Sequence, residues 1–183
     1  MIDEEALAAT DFESGTSRNR LWRYGPLIVW AALIFIGSSS ILSGSNTSTF
    51  LVRPMRWLFP TASDPTLQLV HLLIRKAGHL TEYAILAWLA ARAFRTSSNE
   101  LLRRGWFLVA LILVVVYSLS DEFHQSFVPS RTASLHDCVI DSAGGLTMLI
   151  FLAWRHSVRA RASARATREF EAYQPRMNTD LHR

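Results

Sequence analysis

Ser120–Gly145 reads SDEFHQSFVPSRTASLHDCVIDSAGG. This one stretch carries Asp121, Glu122, His124, Gln125, Arg131, His136, Asp137 and Asp141, yet apolar runs flank it. WFLVALILVVVYSL comes before it, and LTMLIFLAW follows. Charged groups at the edge of a bilayer are costly, so they mark function by default. The stretch reads as the polar end of a membrane-embedded structure, and the rest of the chain is read outward from it.

Four apolar runs can be traced: Tyr24–Ile41, Ala77–Phe94, Gly105–Leu119 and Cys138–Trp154. A helix rises 1.5 Å per residue, so the first run covers about 27 Å, close to a hydrocarbon core. Pro26 suits its first turn, where a missing N–H costs nothing. No small-x-small cleavage site follows this run and similar runs come after it, so it reads as a retained helix rather than a signal peptide. Asp64-Pro65 is a helix-start signal, with Asp as cap and Pro first. Leu67–Ile74 then reads as an interfacial turn or as the outer end of the second helix. The third run is short for a span and is expected to draw in Leu101 and Leu102. Ser134 three residues before Asp137 resembles a capping arrangement and starts the fourth helix near Leu135. The expected fold is all-α: a polytopic membrane helix bundle with four transmembrane helices over residues 24–154.

The flanks differ from this core. Residues 1–23 open acidic and poor in large apolar side chains, and are expected to form a disordered cytoplasmic tail. Residues 155–183 are basic and Ala-rich, read as a helix on the membrane surface and then a loose cytoplasmic tail. Half of the 183 residues are hydrophobic, as a membrane protein of one domain requires. The net charge of +4 is unevenly placed and does not suggest nucleic acid. Fourteen of the 19 Lys and Arg lie before the first run, around the connector after the second, or after the fourth. Basic residues favour the cytoplasm, so both termini are expected inside a bacterial inner membrane and the polar stretch outside. A single cysteine, Cys138, excludes an intrachain disulfide and reads as a packing residue. No CxxC, GxGxxG or P-loop motif is present, and no cofactor or metal is assigned.

The second run begins RKAGHLTEY. On a helical wheel Arg75, His79 and Glu82 share a face, with Lys76 and Tyr83 at its margin. A third helix continued past Leu119 would align Asp121, His124 and Gln125, with Glu122 to one side. In the fourth, Asp137 and Asp141 are i,i+4 neighbours and Gly144 continues their stripe. Gly78, Gly144 and Gly145 would let backbones approach. Taken singly, Arg75 and Lys76 are ordinary snorkelling residues and Asp137 an ordinary cap. Together the set holds five carboxylates against Arg75, Lys76 and Arg131, so a proton, a charged histidine, a bound cation or water must compensate. Glu82, set within an apolar run, is expected to be the least hydrated acid of its helix and the most consequential.

KAGHLTEY at 76–83, DEFHQSFVPSR at 121–131 and the spaced D-x-x-x-D-x-x-G-G of 137–145 resemble the VanZ-like family of bacterial membrane proteins. Ser130 stands where that family usually has Gly, and Asp141 where it often has Asn, so a role for Asp141 transfers less directly. The family takes its name from an accessory protein of glycopeptide-resistance clusters. The resemblance thus implies a place in the cell envelope rather than a reaction.

Two functions follow as expectations. In the first, an accessory protein binds a polar headgroup, such as that of a lipid-linked envelope precursor. Arg75, Lys76 and Arg131 would hold phosphate, while Tyr83, Gln125 and the carboxylates Asp121, Glu122, Asp137 and Asp141 would meet hydroxyl or amide groups. In the second, a hydrolase or transferase uses carboxylate–histidine pairs, Glu82 with His79 and Asp121 with His124, for acid–base work on a membrane-embedded substrate. A metal site from H-x-x-E and E-x-H is a weaker third reading, because neither is the H-E-x-x-H pattern.

Overall fold

The computed structural model describes residues 2–38, 54, 56–127 and 134–180. It is all-helical: α1 Ile2–Ser38, α2 Asp64–Arg95, α3 Glu100–Arg104, α4 Trp106–Gln125 and α5 Leu135–Asp180, with no strand among the described residues. The chain divides into Met1–Leu149, which holds the bundle, and Ile150–Arg183. The described part of the second unit is the rest of α5, with Phe151 and Trp154 in ring contact at 6.1 Å and Arg165 bonded to Glu169 at 3.0 Å.

Several elements differ from expectation, each for a local reason. α1 begins at Ile2, so its backbone is helical through the segment read as a tail, where EEALAA is rich in helix formers. Pro26 consequently lies inside a helix rather than in its first turn. Proline cannot donate to the carbonyl four residues back. That carbonyl belongs to Trp22, and Arg92 donates to it from α2 at 3.4 Å. At the start of α2, Ser63 is the cap, Asp64 the first residue and Pro65 follows. α2 runs unbroken to Arg95, so Leu67–Ile74 is its outer end and not a separate turn. Leu101 and Leu102 belong to the short α3, which ends at Gly105, and α4 makes up its length at the other end by running on to Gln125. Asp121–Gln125 therefore sit on a helix. At α5 the expected start holds: Ser134 Oγ accepts from the His136 N–H at 3.2 Å, and the helix begins at Leu135.

Among the described residues, three helices are long and apolar enough to cross a membrane: Asn19–Ser38, Trp106–Gln125 and Leu135–Glu171. α2, at 32 residues, has the length but not the composition, because Arg75, Lys76, Glu82, Arg92 and Arg95 interrupt it. Its place in the bundle explains this. α2 packs against both α1 and α4, and it buries Tyr83, Leu86, Ala87, Leu89, Ala90, Ala91, Ala93 and Phe94. On α4 the inward stripe is Ala110, Val114, Ser118, Asp121, Glu122 and Gln125. Leu108, Ile112, Val116, Leu119 and Phe123 lie exposed on its opposite side. An uninterrupted exposed apolar face of this kind suits lipid and not water.

Small residues set the spacing. A Cβ at Gly144 would strike the Leu80 backbone, lying 3.0 Å from its Cα. At Gly145 it would lie 2.6 Å from Val114 Cγ1. The first contact brings α5 onto α2 and the second brings it onto α4, as small residues do between membrane helices. Gly78 meets nothing within 4 Å and plays no such part.

Candidate functional site

With α5 held close, α2, α4 and α5 bring their polar residues together at one end of the bundle. On α2 the stripe pointing inward is Lys76, His79 and Tyr83, continuing into Leu86 and Ala87. This is one step round the helix from the face expected on Arg75, His79 and Glu82. Tyr83 is wholly buried and Glu82 is exposed. Asp64 and Glu82, the two acids of α2, are both exposed, so the wholly enclosed acid of the cluster is not Glu82. Its role at the lip of the cluster is through its backbone carbonyl, which accepts from Trp30 Nε1 at 3.0 Å.

Asp141 is the acid that is wholly enclosed. One of its oxygens lies 3.5 Å from His79 Nδ1, and the other accepts from Ser118 Oγ at 3.4 Å. One turn earlier on α5, Asp137 meets Lys76 at 3.3 Å and Arg75 at 3.5 Å. The two aspartates of the DxxxD spacing therefore have different partners. Asp137 takes fixed cations at the half-open rim, and Asp141 takes a histidine and a hydroxyl in the interior.

α4 supplies the floor. Asp121, Glu122 and Gln125 are all buried. Gln125 Nε2 donates to Asp121 Oδ2 at 2.9 Å, and Glu122 Oε2 accepts from the Ser134 N–H at 2.7 Å. The Glu122 contact ties the end of α4 to the start of α5 across the intervening loop. His124 is turned to the side, its ring tilted 35° against that of Phe35 of α1 with centroids 4.4 Å apart. Asp121 is bonded to Gln125 rather than to His124, and the acid facing His79 Nδ1 is Asp141. The carboxylate–histidine pairing differs in these two respects from the one read along the sequence. Arg131 lies outside the described residues.

Ser118 was not singled out by its sequence, and it is central here. Wholly buried, it bonds Asp141 and lies 3.5 Å from the Cys138 carbonyl, while the Cys138 thiol points back to the Ser118 carbonyl at 3.7 Å. The available signal was a hydroxyl three residues before Asp121 in an otherwise apolar run. Trp30, Phe35 and Tyr117, which dock α1 on the cluster, carry no polar motif and could not have been found that way. Tyr117 donates its hydroxyl to the Ala31 carbonyl, and its ring centroid lies 6.4 Å from that of Tyr83.

Chemically the cluster joins a basic rim to an acidic interior. Among the described residues no three His, Cys, Asp or Glu side chains gather as a set that could hold a metal ion. The architecture is that of an all-helical protein with membrane-length apolar helices and a polar cluster on its second, third and fourth long helices. The VanZ/LLP1 family model matches residues 24–156, and the chain belongs to that family. Comparison with curated proteins and with solved structures gives no match.

Proposed function

We propose that this protein spans the bacterial inner membrane four times, with both termini in the cytoplasm, and that its outward cluster binds the phosphorylated headgroup of an envelope lipid or lipid-linked precursor in an accessory role. The observation that carries this reading is the rim. Arg75 and Lys76, with side chains 41% and 34% exposed, share one carboxylate at 3.5 and 3.3 Å. Such long, half-open pairs are weakly held and leave donors free to face outward. A phosphate would meet a guanidinium fork and an ammonium point charge side by side. An apolar groove of about 540 Å³ between α4 and α5 supports a lipid ligand, being walled by Leu111, Val115, Leu119, Leu135 and Val139. It shares Cys138 with the polar cluster, so chain and headgroup would lie close together.

The test is lipid capture by the purified protein, read by native mass spectrometry. A polyprenyl phosphate should be retained over the matching polyprenol, and phosphatidic acid over diacylglycerol. The double variant Arg75→Gln/Lys76→Gln should lose most of that preference while remaining folded. Equal retention of phosphorylated and unphosphorylated lipids by the wild-type protein would end the proposal. The alternative, a membrane-embedded hydrolase or transferase, draws on one contact, His79 with Asp141. It requires turnover, so phosphate release from a polyprenyl pyrophosphate that disappears in His79→Gln would favour it over simple binding.

A further inference from the structure

The headgroup reading makes no use of the second unit, Ile150–Arg183. Its helix opens apolar, and Phe151, Trp154 and Val158 stand at i, i+3 and i+7, which puts them on one face. All three are exposed, at 46%, 61% and 45%, and the Phe151 and Trp154 rings lie 6.1 Å apart. A tryptophan at the end of an apolar run marks the level of the lipid headgroups. Arg155, Arg159 and Arg161 follow at once, all exposed, about 1.5, 7.5 and 10.5 Å beyond Trp154 along the helix axis. No acid lies between Asp141 and Glu169 in the chain, and none of these three arginines has an ion pair within the described part of the unit. Farther on the balance changes. Arg165 and Arg168 are accompanied by Glu169 and Glu171, and Arg165 is bonded to Glu169 at 3.0 Å.

Basic residues near the end of a span orient a membrane protein whatever their order. The grading along this helix is a further fact: positive charge is unpaired within reach of the headgroups and is balanced by acids beyond them. An acidic protein or an RNA arriving from solution would meet the outer part of the helix as readily as the inner part, and gains nothing from that grading. We propose that Arg155, Arg159 and Arg161, with Phe151, Trp154 and Val158, form a binding site for an anionic phospholipid of the leaflet in which Trp154 lies, the cytoplasmic one on the topology proposed above. The guanidinium forks would take the phosphodiester, and the exposed apolar strip the start of the acyl chains. Attraction to an anionic leaflet falls off within a Debye length, about 8–10 Å. Arg155, Arg159 and Arg161 lie within that reach of Trp154, whereas Arg165 and Arg168 stand about 16 and 21 Å beyond it.

The test is lipid retention by the purified full chain, read by native mass spectrometry with phosphatidylglycerol against phosphatidylcholine, which has the same phosphate without the net charge. The preference for phosphatidylglycerol should persist in Arg75→Gln/Lys76→Gln, which removes the rim and so separates this site from the headgroup reading. It should fall about tenfold in Arg155→Gln/Arg159→Gln/Arg161→Gln and stay unchanged in Arg165→Gln/Arg168→Gln. Should the triple variant fail to insert or accumulate, the wild-type chain in nanodiscs carries the same comparison. Trypsin should cut after Arg165 and Arg168 in discs of either lipid, but after Arg155, Arg159 and Arg161 only in phosphatidylcholine discs. Equal retention of the two lipids by the rim variant, an equal fall in the two tail variants, or cleavage that ignores the lipid would overturn the site.

Discussion

At the scale of single residues, Gly144 and Gly78 behave oppositely, as do Asp141 and Asp137. Gly144 sits against the Leu80 backbone, which cannot swing aside as a side chain can. Gly144→Ala should therefore destabilise the protein by about 1–3 kcal/mol, the usual cost of overpacking. Gly78→Ala, with nothing within 4 Å of the new methyl, should be neutral or stabilise by about 0.5–1 kcal/mol through helix propensity. Thermal unfolding in detergent measures both. A Gly144→Ala protein as stable as wild type would mean that α5 does not approach α2 this closely. The aspartates differ in the same manner. Asp137→Asn gives up a half-open ion pair and should cost no more than about 1 kcal/mol. Asp141 lies inside, and losing its bond to Ser118 leaves that wholly buried hydroxyl short of a partner that water cannot replace.

At the scale of elements, α2 explains the bundle. It has the length of a span but lacks the hydropathy, because its neighbours cover it and its ends carry charge. α1 is docked on it and on the connector that follows it by three side-chain bonds at different depths. Tyr24 bonds Ser97 at 3.0 Å, Arg92 bonds the Trp22 carbonyl and Trp30 bonds the Glu82 carbonyl. Low in the bundle, Arg92 also answers the carbonyl that Pro26 leaves free. Arg92→Leu should consequently destabilise through α1 by about 1–3 kcal/mol, whereas Pro26→Ala should relieve most of that loss by restoring the internal helix bond. A double-mutant cycle on melting temperature reads the coupling. Simple additivity of the two changes would show that the two groups do not answer one another.

At the scale of the whole molecule, fourteen of the 19 Lys and Arg lie before the first apolar run, around the connector after the second, or after the fourth, apart in sequence from the polar cluster. This arrangement fixes the prediction for topology. A cysteine placed at Asn99, in the connector before α3, should resist an impermeant thiol reagent applied to intact cells, and one placed at Ser126 should react. Cys138→Ser provides the background for both. Labelling at Asn99 and protection at Ser126 would invert the protein in the membrane and put the cluster on the cytoplasmic side.

The sequence by itself determined the helical class, the approximate limits of the apolar runs and the set of polar residues at one depth. These follow from hydropathy and periodicity, which are local properties of the chain. Its motifs also pointed to the family. Only the tertiary structure decided which residues of each polar helix face inward. A wheel fixes the angles between Arg75, His79, Glu82 and Tyr83, but the neighbour's position fixes which of them is enclosed. That position is set by Gly144 and Gly145, distant in sequence from α2, where the missing side chains let α5 close on Leu80 and Val114. The close approach turns Tyr83 and Asp141 into the interior and leaves Glu82 outside. It also gives Ser118, silent in its apolar run, the bonds that join α4 to α5.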